Sequence, residues 1–195
     1  MVLLTIRQKI SNFGNDMRYL IASDIHGSWP RLQQLLGHFD AMKMDMLFIL
    51  GDILNYGPRN GVPEGLNAPA IAEALNRLSD RIVAIRGNCD SEVDQMLLKF
   101  PIMSDYTMIV DNGVRLFLTH GHIYNEANMP TVACDAYIYG HTHLWKLEKT
   151  DGVTVCNTGS ITFPKGGNAP TFATYADHKL RIHSLEGEVL KETTL

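Results

Sequence analysis

Six short apolar runs, each rich in β-formers and each ended by a polar, mostly glycine-bearing turn, constrain this chain more than anything else in it. They are YLIAS before Asp24-Ile25-His26-Gly27, MLFIL before Gly51-Asp52, and RIVAI before Arg86-Gly87-Asn88-Cys89-Asp90. Then come RLFLT before His120-Gly121-His122, AYIY before Gly140-His141-Thr142-His143, and VTVC before Asn157-Thr158-Gly159-Ser160. Continuous rather than alternating hydrophobicity belongs to strands covered on both faces. Amphipathic helical segments separate the early runs: PRLQQLLGHF from Pro30, APAIAEALNRLSD from Ala68, and SEVDQMLLKF from Ser91. Asp90 or Ser91 is placed to cap the last of these, and Pro101 to stop it. The order β-α-β-α-β-α calls for parallel strands joined by right-handed crossovers.

The helical signal fades from about residue 106, and strands follow one another through TMIV, RLFLT, AYIY, VTVC, TFATYA and KLRIHSL. The fold class is therefore α/β, with a second sheet packed on the first and helices outside. No linker rich in proline, glycine and serine interrupts residues 17–195, so they are expected to form one domain. Residues 1–16 read as an extension outside that core, because Met17 directly precedes the first strand and Arg7 and Lys9 come too soon for a secretory apolar core. Two long loops, 55–69 and 123–135, each follow a candidate site turn and read either as walls of the site or as plain surface excursions. Trp29 and Pro30 read as a helix start and packing rather than a substrate platform.

Charge and cysteine content narrow the partners. A formal net charge of −4 over 195 residues provides no general attraction for long nucleic acid or an anionic membrane. No run approaches the roughly 18 apolar residues of a membrane span. Three widely spaced cysteines, Cys89, Cys134 and Cys156, form neither a disulfide framework nor a zinc knuckle, and fit a reducing cytoplasm.

Ligands of open α/β sheets bind at the carboxyl ends of the strands. Those ends carry Asp24, His26, Asp52, Asn88, His120, His122, His141 and His143. There is no serine elbow, no phosphate-cradling lysine loop and no dinucleotide glycine pattern. Oxygen and nitrogen donors without thiolates suit first-row divalent metals. Residues two apart on an extended chain lie about 6.5 Å apart on one face, near enough to converge on one ion or reach two neighbouring ions. Asp24 with His26 would chelate one ion, His141 and His143 would hold one each, and Asp52, with two acceptor oxygens, is the natural bridge. A lone Asp-x-His or Gly-Asp is usually turn chemistry; five strand ends carrying donors in one chain are not explained that way.

The order of these motifs, with LNYGPRN, RGNCDSEVDQMLL, FLTHGH and FPKGGNAP, resembles the calcineurin-like metallophosphoesterase superfamily, and within it the YfcE-like phosphodiesterases. The resemblance runs from about Arg18 to the C-terminus. It implies a four-layer αββα sandwich and two divalent metal ions, manganese first, with zinc, nickel, cobalt or iron as alternatives. The first metal would take Asp24, His26, Asp52 and His143; the second would share Asp52 and take Asn88, His120 and His141. The implied activity is hydrolysis of a small phosphodiester by a hydroxide activated at the dinuclear site, with Asp52, Asn88, His120 and Cys89 at the chemistry. Asn55, Arg59, Cys89 and His122 are the expected substrate contacts, and Asp90 the residue expected to orient His26 or His120. One position departs from the superfamily pattern: Gly-Asn-His is here Gly87-Asn88-Cys89, and a thiol is a weaker donor than an imidazolium. The alternatives are a phosphomonoesterase or nucleotide hydrolase on the same metals, and a binding scaffold like the retromer-coat subunit of this superfamily. A homo-oligomer is a further implication of the resemblance.

Overall fold

The computed structural model describes residues 17–195, and the expected extension over residues 1–16 lies outside the described residues. Strand β1 (Tyr19–Ala22) is buried at every position and pairs in parallel with β2 (Met46–Ile49), which pairs in parallel with β3 (Ile82–Ala84). The crossovers are α1 (Trp29–Ala41) and α2 (Ala68–Asn76). Pro30 stands in the first turn of α1, where its missing N–H costs nothing, and the helix buries Leu32, Leu35 and Phe39 along one face. Asn67 caps α2 by accepting the Ala70 N–H, and Ile71, Ala72 and Leu75 face inward.

Helix α3 (Glu92–Leu97) is shorter than its sequence pattern. Ser91 begins it, its N–H held by the Asp94 carboxylate at 2.8 Å. It ends before Pro101 because the Gln95 side chain accepts from the Ile102 N–H and donates to the Leu98 and Phe100 carbonyls. Those bonds draw the chain out of the helix.

The remainder is strand: β4 (Tyr106–Asp111), β5 (Val114–Thr119), β6 (Ala136–Tyr139), β7 (Lys146–Thr150), β8 (Val153–Asn157), β9 (Thr171–Ala176), β10 (Lys179–Ser184) and β11 (Val189–Thr194). One sheet runs β11-β10-β9-β1-β2-β3 and the other β4-β5-β6-β8-β7. Alternation along β1 divides the interior: Leu20 and Ala22 join Leu32, Leu35 and Phe39 of α1, while Tyr19 and Ile21 join Leu116, Leu118 and Ile138 of the second sheet. The result is an α/β sandwich of two mixed sheets. On the outer face of the second sheet, Phe117, Tyr137, Tyr139 and Val155 are packed by Tyr124 and Cys134 of the loop between β5 and β6. Among the described residues that loop, not a helix, is the outermost layer there. Glu126 fastens it, accepting from the Tyr139 hydroxyl at 2.5 Å and pairing with Lys146 at 2.8 Å.

Candidate metal centre

The turns that end β1, β2, β3, β5 and β6 meet at one end of the sandwich because backbone bonds stitch them together. The Asp24 N–H donates to the Gly51 carbonyl, the His26 N–H to Asp52, and the Gly140 N–H to His120. Two glycines make this approach possible. A Cβ on Gly87 would lie 2.1 Å from Asp52 Oδ1, and one on Gly140 would lie 2.1 Å from Ser23 Oγ and 2.7 Å from Asp24 Oδ2.

Asp24, His26, Asp52, His141 and His143 all have left-handed backbone, with φ between 50° and 63°. That conformation is tolerated best by Asn, Asp and His and costs about 1 kcal/mol or more at each such residue. It turns these side chains into the space between the strand ends, where Asp24, His26, Asp52, His120 and His143 are buried.

Their polar atoms form two groups that share one carboxylate. In the first, Asp24 Oδ1 lies 3.1 Å from His143 Nε2 and 3.4 Å from His26 Nε2, and those two nitrogens are 3.3 Å apart. In the second, His120 Nε2 lies 3.2 Å from Asn88 Oδ1 and 3.2 Å from His141 Nδ1. Asp52 Oδ2 stands between them, 3.7 Å from His26 Nε2 and 3.5 Å from His120 Nε2. Two donors held about 2.1 Å from one ion at 90–110° are about 3.0–3.4 Å apart, close to most of these separations.

The hydrogen-bond pattern shows which atoms the donors turn toward one another. His26 donates its Nδ1–H to the Asn55 carbonyl at 3.0 Å, His120 to Leu50 at 2.6 Å and His143 to Phe163 at 2.7 Å. With those ring nitrogens carrying the proton, each Nε2 presents a lone pair to its neighbours. Each aspartate likewise has one oxygen held by backbone, Asp24 Oδ2 by the His141 N–H and Asp52 Oδ1 by the Cys89 N–H. Asp24 Oδ1, facing the two histidines, has no hydrogen-bond partner. Converging lone pairs around an unpartnered buried carboxylate oxygen fit a cation.

Burial pushes the Asp24 carboxyl up, but with their rings protonated His143 and His26 donate to it, outweigh burial and hold it well below the usual carboxylate range. Burial likewise opposes charge on His26, while Asp24 prevails and raises it. His141 is pushed down to about 4 by burial and by His120.

Of the sequence-predicted residues, Asp24, His26, Asp52, Asn88, His120, His141 and His143 are gathered in this cluster. Cys89 lines the cleft above it, near Gly57, its thiol pushed up to about 12 by burial and by Asp52. Arg59 lines the same cleft, whose volume is about 460 Å³. Asn55 does not: its side chain accepts the Gly57 N–H, and its carbonyl serves His26. His122 packs against His120 and His141, ring centroids 5.2 and 6.1 Å away, with its pKa lowered by burial, and it too is outside the cleft lining.

One expectation is corrected, and one of the two loop readings is set aside. Asp90 orients no imidazole; its carboxylate accepts the N–H groups of Asp52, Ile53 and Gly87 at 2.7–2.9 Å and so locks two ligand turns together. The loop 123–135 contributes nothing to the cleft lining, since it covers the second sheet. Asn60, Thr142, Leu144 and Lys165 do line the cleft and had no assigned role. Their only signal in the sequence is adjacency to the candidate turns and to FPKGGNAP.

A family model described as the calcineurin-like phosphoesterase superfamily domain matches residues 17–179. The chain is similar to phosphodiesterase YfcE of Escherichia coli (strain K12), 43% identical over 173 residues that cover 88% of this chain and 94% of the relative. The solved structure of Yfce, a phosphoesterase from E. coli, superposes with a TM-score of 0.89 at 40% identity, covering 91% of this chain and 99% of that one. Vacuolar protein sorting 29 from Cryptosporidium parvum shares the fold, with a TM-score of 0.66 at 15% identity over 93% of this chain and 100% of that one.

Proposed function

Since the chain belongs to the calcineurin-like phosphoesterase superfamily and is a phosphodiester hydrolase, we propose that it cleaves small phosphodiesters at two divalent metal ions held between the strand ends. The observation that carries this reading is the unpartnered Asp24 Oδ1 facing the Nε2 atoms of His26 and His143, with Asp52 Oδ2 placed between that group and His120. Asp24, His26, Asp52 and His143 would hold one ion; Asp52, Asn88, His120 and His141 the other.

Ions bound there would supply Lewis acidity toward phosphoryl oxygens and a lowered pKa for water. The chain's own groups do the positioning. The carbonyls of Asn55, Leu50 and Phe163 fix the tautomer and plane of His26, His120 and His143. Asp90 keeps the Asp52 and Gly87 turns at a fixed separation, so that Asp52 and Asn88 face the same ion site. Arg59 borders the cleft as a cation available to an anionic group of the substrate. At the wall beside them, the Cys89 thiol provides only a weak donor for a departing oxygen, which favours diesters with acidic leaving alcohols.

Manganese is the metal we expect, on oxygen-rich ligation and availability. The three cysteines are free, which fits a cytoplasmic setting, and no helix among the described residues is long and apolar enough to cross a membrane.

The test is hydrolysis of bis-(p-nitrophenyl) phosphate and p-nitrophenyl phosphate by metal-stripped protein with manganese, nickel, cobalt, zinc or magnesium restored. Metal-dependent cleavage of the diester in preference to the monoester is expected. Absence of turnover with every metal would move the function to binding, as in a scaffold.

A further inference from the structure

Two cations, Arg59 and Lys165, line the cleft. Arg59 comes from the loop after β2 and Lys165 from the loop after β8, and both border the cleft beside His26 and His143. Both side chains are exposed, and neither is ion-paired among the described residues. By contrast, Arg77, Arg115 and Arg181 each pair with a carboxylate.

The loops beneath these cations are fastened to the metal-ligand histidines in the same way. The His26 ring holds the Asn55 carbonyl and the His143 ring holds that of Phe163. The Asn60 amide then closes the turn around Arg59 by donating to the Tyr56 carbonyl at 2.7 Å, and the Lys165 N–H donates to the His143 carbonyl at 3.0 Å. Each cation thus stands on backbone set by the histidine below it. Between them the cleft offers the apolar Pro58 and Leu144, and at about 460 Å³ it is within the usual range for small ligands.

The charge count points the same way. On the reading above, on which this inference rests, two divalent ions are balanced by Asp24, Asp52, the attacking hydroxide and the single charge of a diester. Asp90 is occupied by three backbone N–H groups. Arg59 and Lys165 then have no counter-charge in the site.

We propose that Arg59 and Lys165 form a second anion subsite, which takes a phosphate monoester carried on one alcohol arm of the substrate. The substrate class is a small phosphodiester bearing a further phosphate, such as a nucleotide esterified at one phosphate and free at another. A phosphate monoester carries close to two negative charges at neutral pH, which the two side chains match.

The experiment compares thymidine 5′-(p-nitrophenyl phosphate) with the same ester bearing a 3′-phosphate, in the metal-loaded protein and in Lys165→Gln and Arg59→Gln. The 3′-phosphorylated ester is expected to show a kcat/KM about tenfold higher, chiefly through KM, and each variant to bring that ratio towards one. Calorimetric binding of thymidine 3′,5′-bisphosphate against thymidine 5′-monophosphate provides a readout without turnover and should show the same preference and the same loss. Equal kcat/KM on the two esters, or a ratio unchanged in both variants, overturns the subsite while the phosphodiesterase reading stands. Failure to turn over either ester with any metal overturns both.

Discussion

At the scale of single residues, donors at strand ends were legible because Asp and His are tolerated in left-handed backbone, which five of them adopt in three of the turns. What holds them was less legible. The partners of the imidazoles are carbonyls of Leu50, Asn55 and Phe163, and any residue provides a carbonyl. Asp90 shows the difference in kind: its position beside Asn88 suggested an orienter of histidines, whereas it satisfies three backbone N–H groups. Asp90→Ala should therefore leave buried donors unpaired and destabilise the protein by about 3–5 kcal/mol, measured by urea unfolding of metal-stripped protein. A cost below about 1 kcal/mol would mean that water replaces the carboxylate freely.

At the scale of elements, the long apolar strands and the first two helices were legible from continuous hydrophobicity and amphipathic spacing. Strands β7 and β11 were not, because KLEKT and VLKETT are sheet edges, largely exposed and rich in charge, and so lack an apolar pattern. The early end of α3 was hidden too, since it depends on the reach of one glutamine side chain. The β9–β10 pair carries a consequence for pH. His183 on β10 stacks on Phe172 of β9, centroids 5.0 Å apart, and its Nε2 meets Thr174 Oγ1 at 2.8 Å. Burial, then Arg181 and His38, push it down to about 4. Between the ordinary value near 6.5 and about 4, the unfolded chain binds a proton that the folded chain refuses. The contribution is present in full above pH 6.5 and is lost as pH falls, by at most about 1.4 kcal/mol per pH unit. His183→Leu should flatten that acid limb of stability; an unchanged slope in the variant would place the titration elsewhere.

At the scale of the whole molecule, two sheets bring five turns from distant parts of the chain to one end, so assembly of the donors is inseparable from assembly of the sandwich. Ion binding then stabilises the whole fold. Manganese at a hundredfold its Kd should add about 2.7 kcal/mol for each ion bound, visible as a higher melting temperature than in chelator, because the unfolded chain disperses the ligands. A melting temperature indifferent to every divalent metal would contradict that coupling. The central claim is that Asp52 joins two ion sites into one, and metal content tests it most directly. Metal-stripped protein reloaded with manganese, washed and measured for metal per chain should hold two ions, and Asp52→Asn should hold at most one and lose diesterase activity. Full diesterase activity with one ion per chain, or two ions retained in Asp52→Asn, would contradict it.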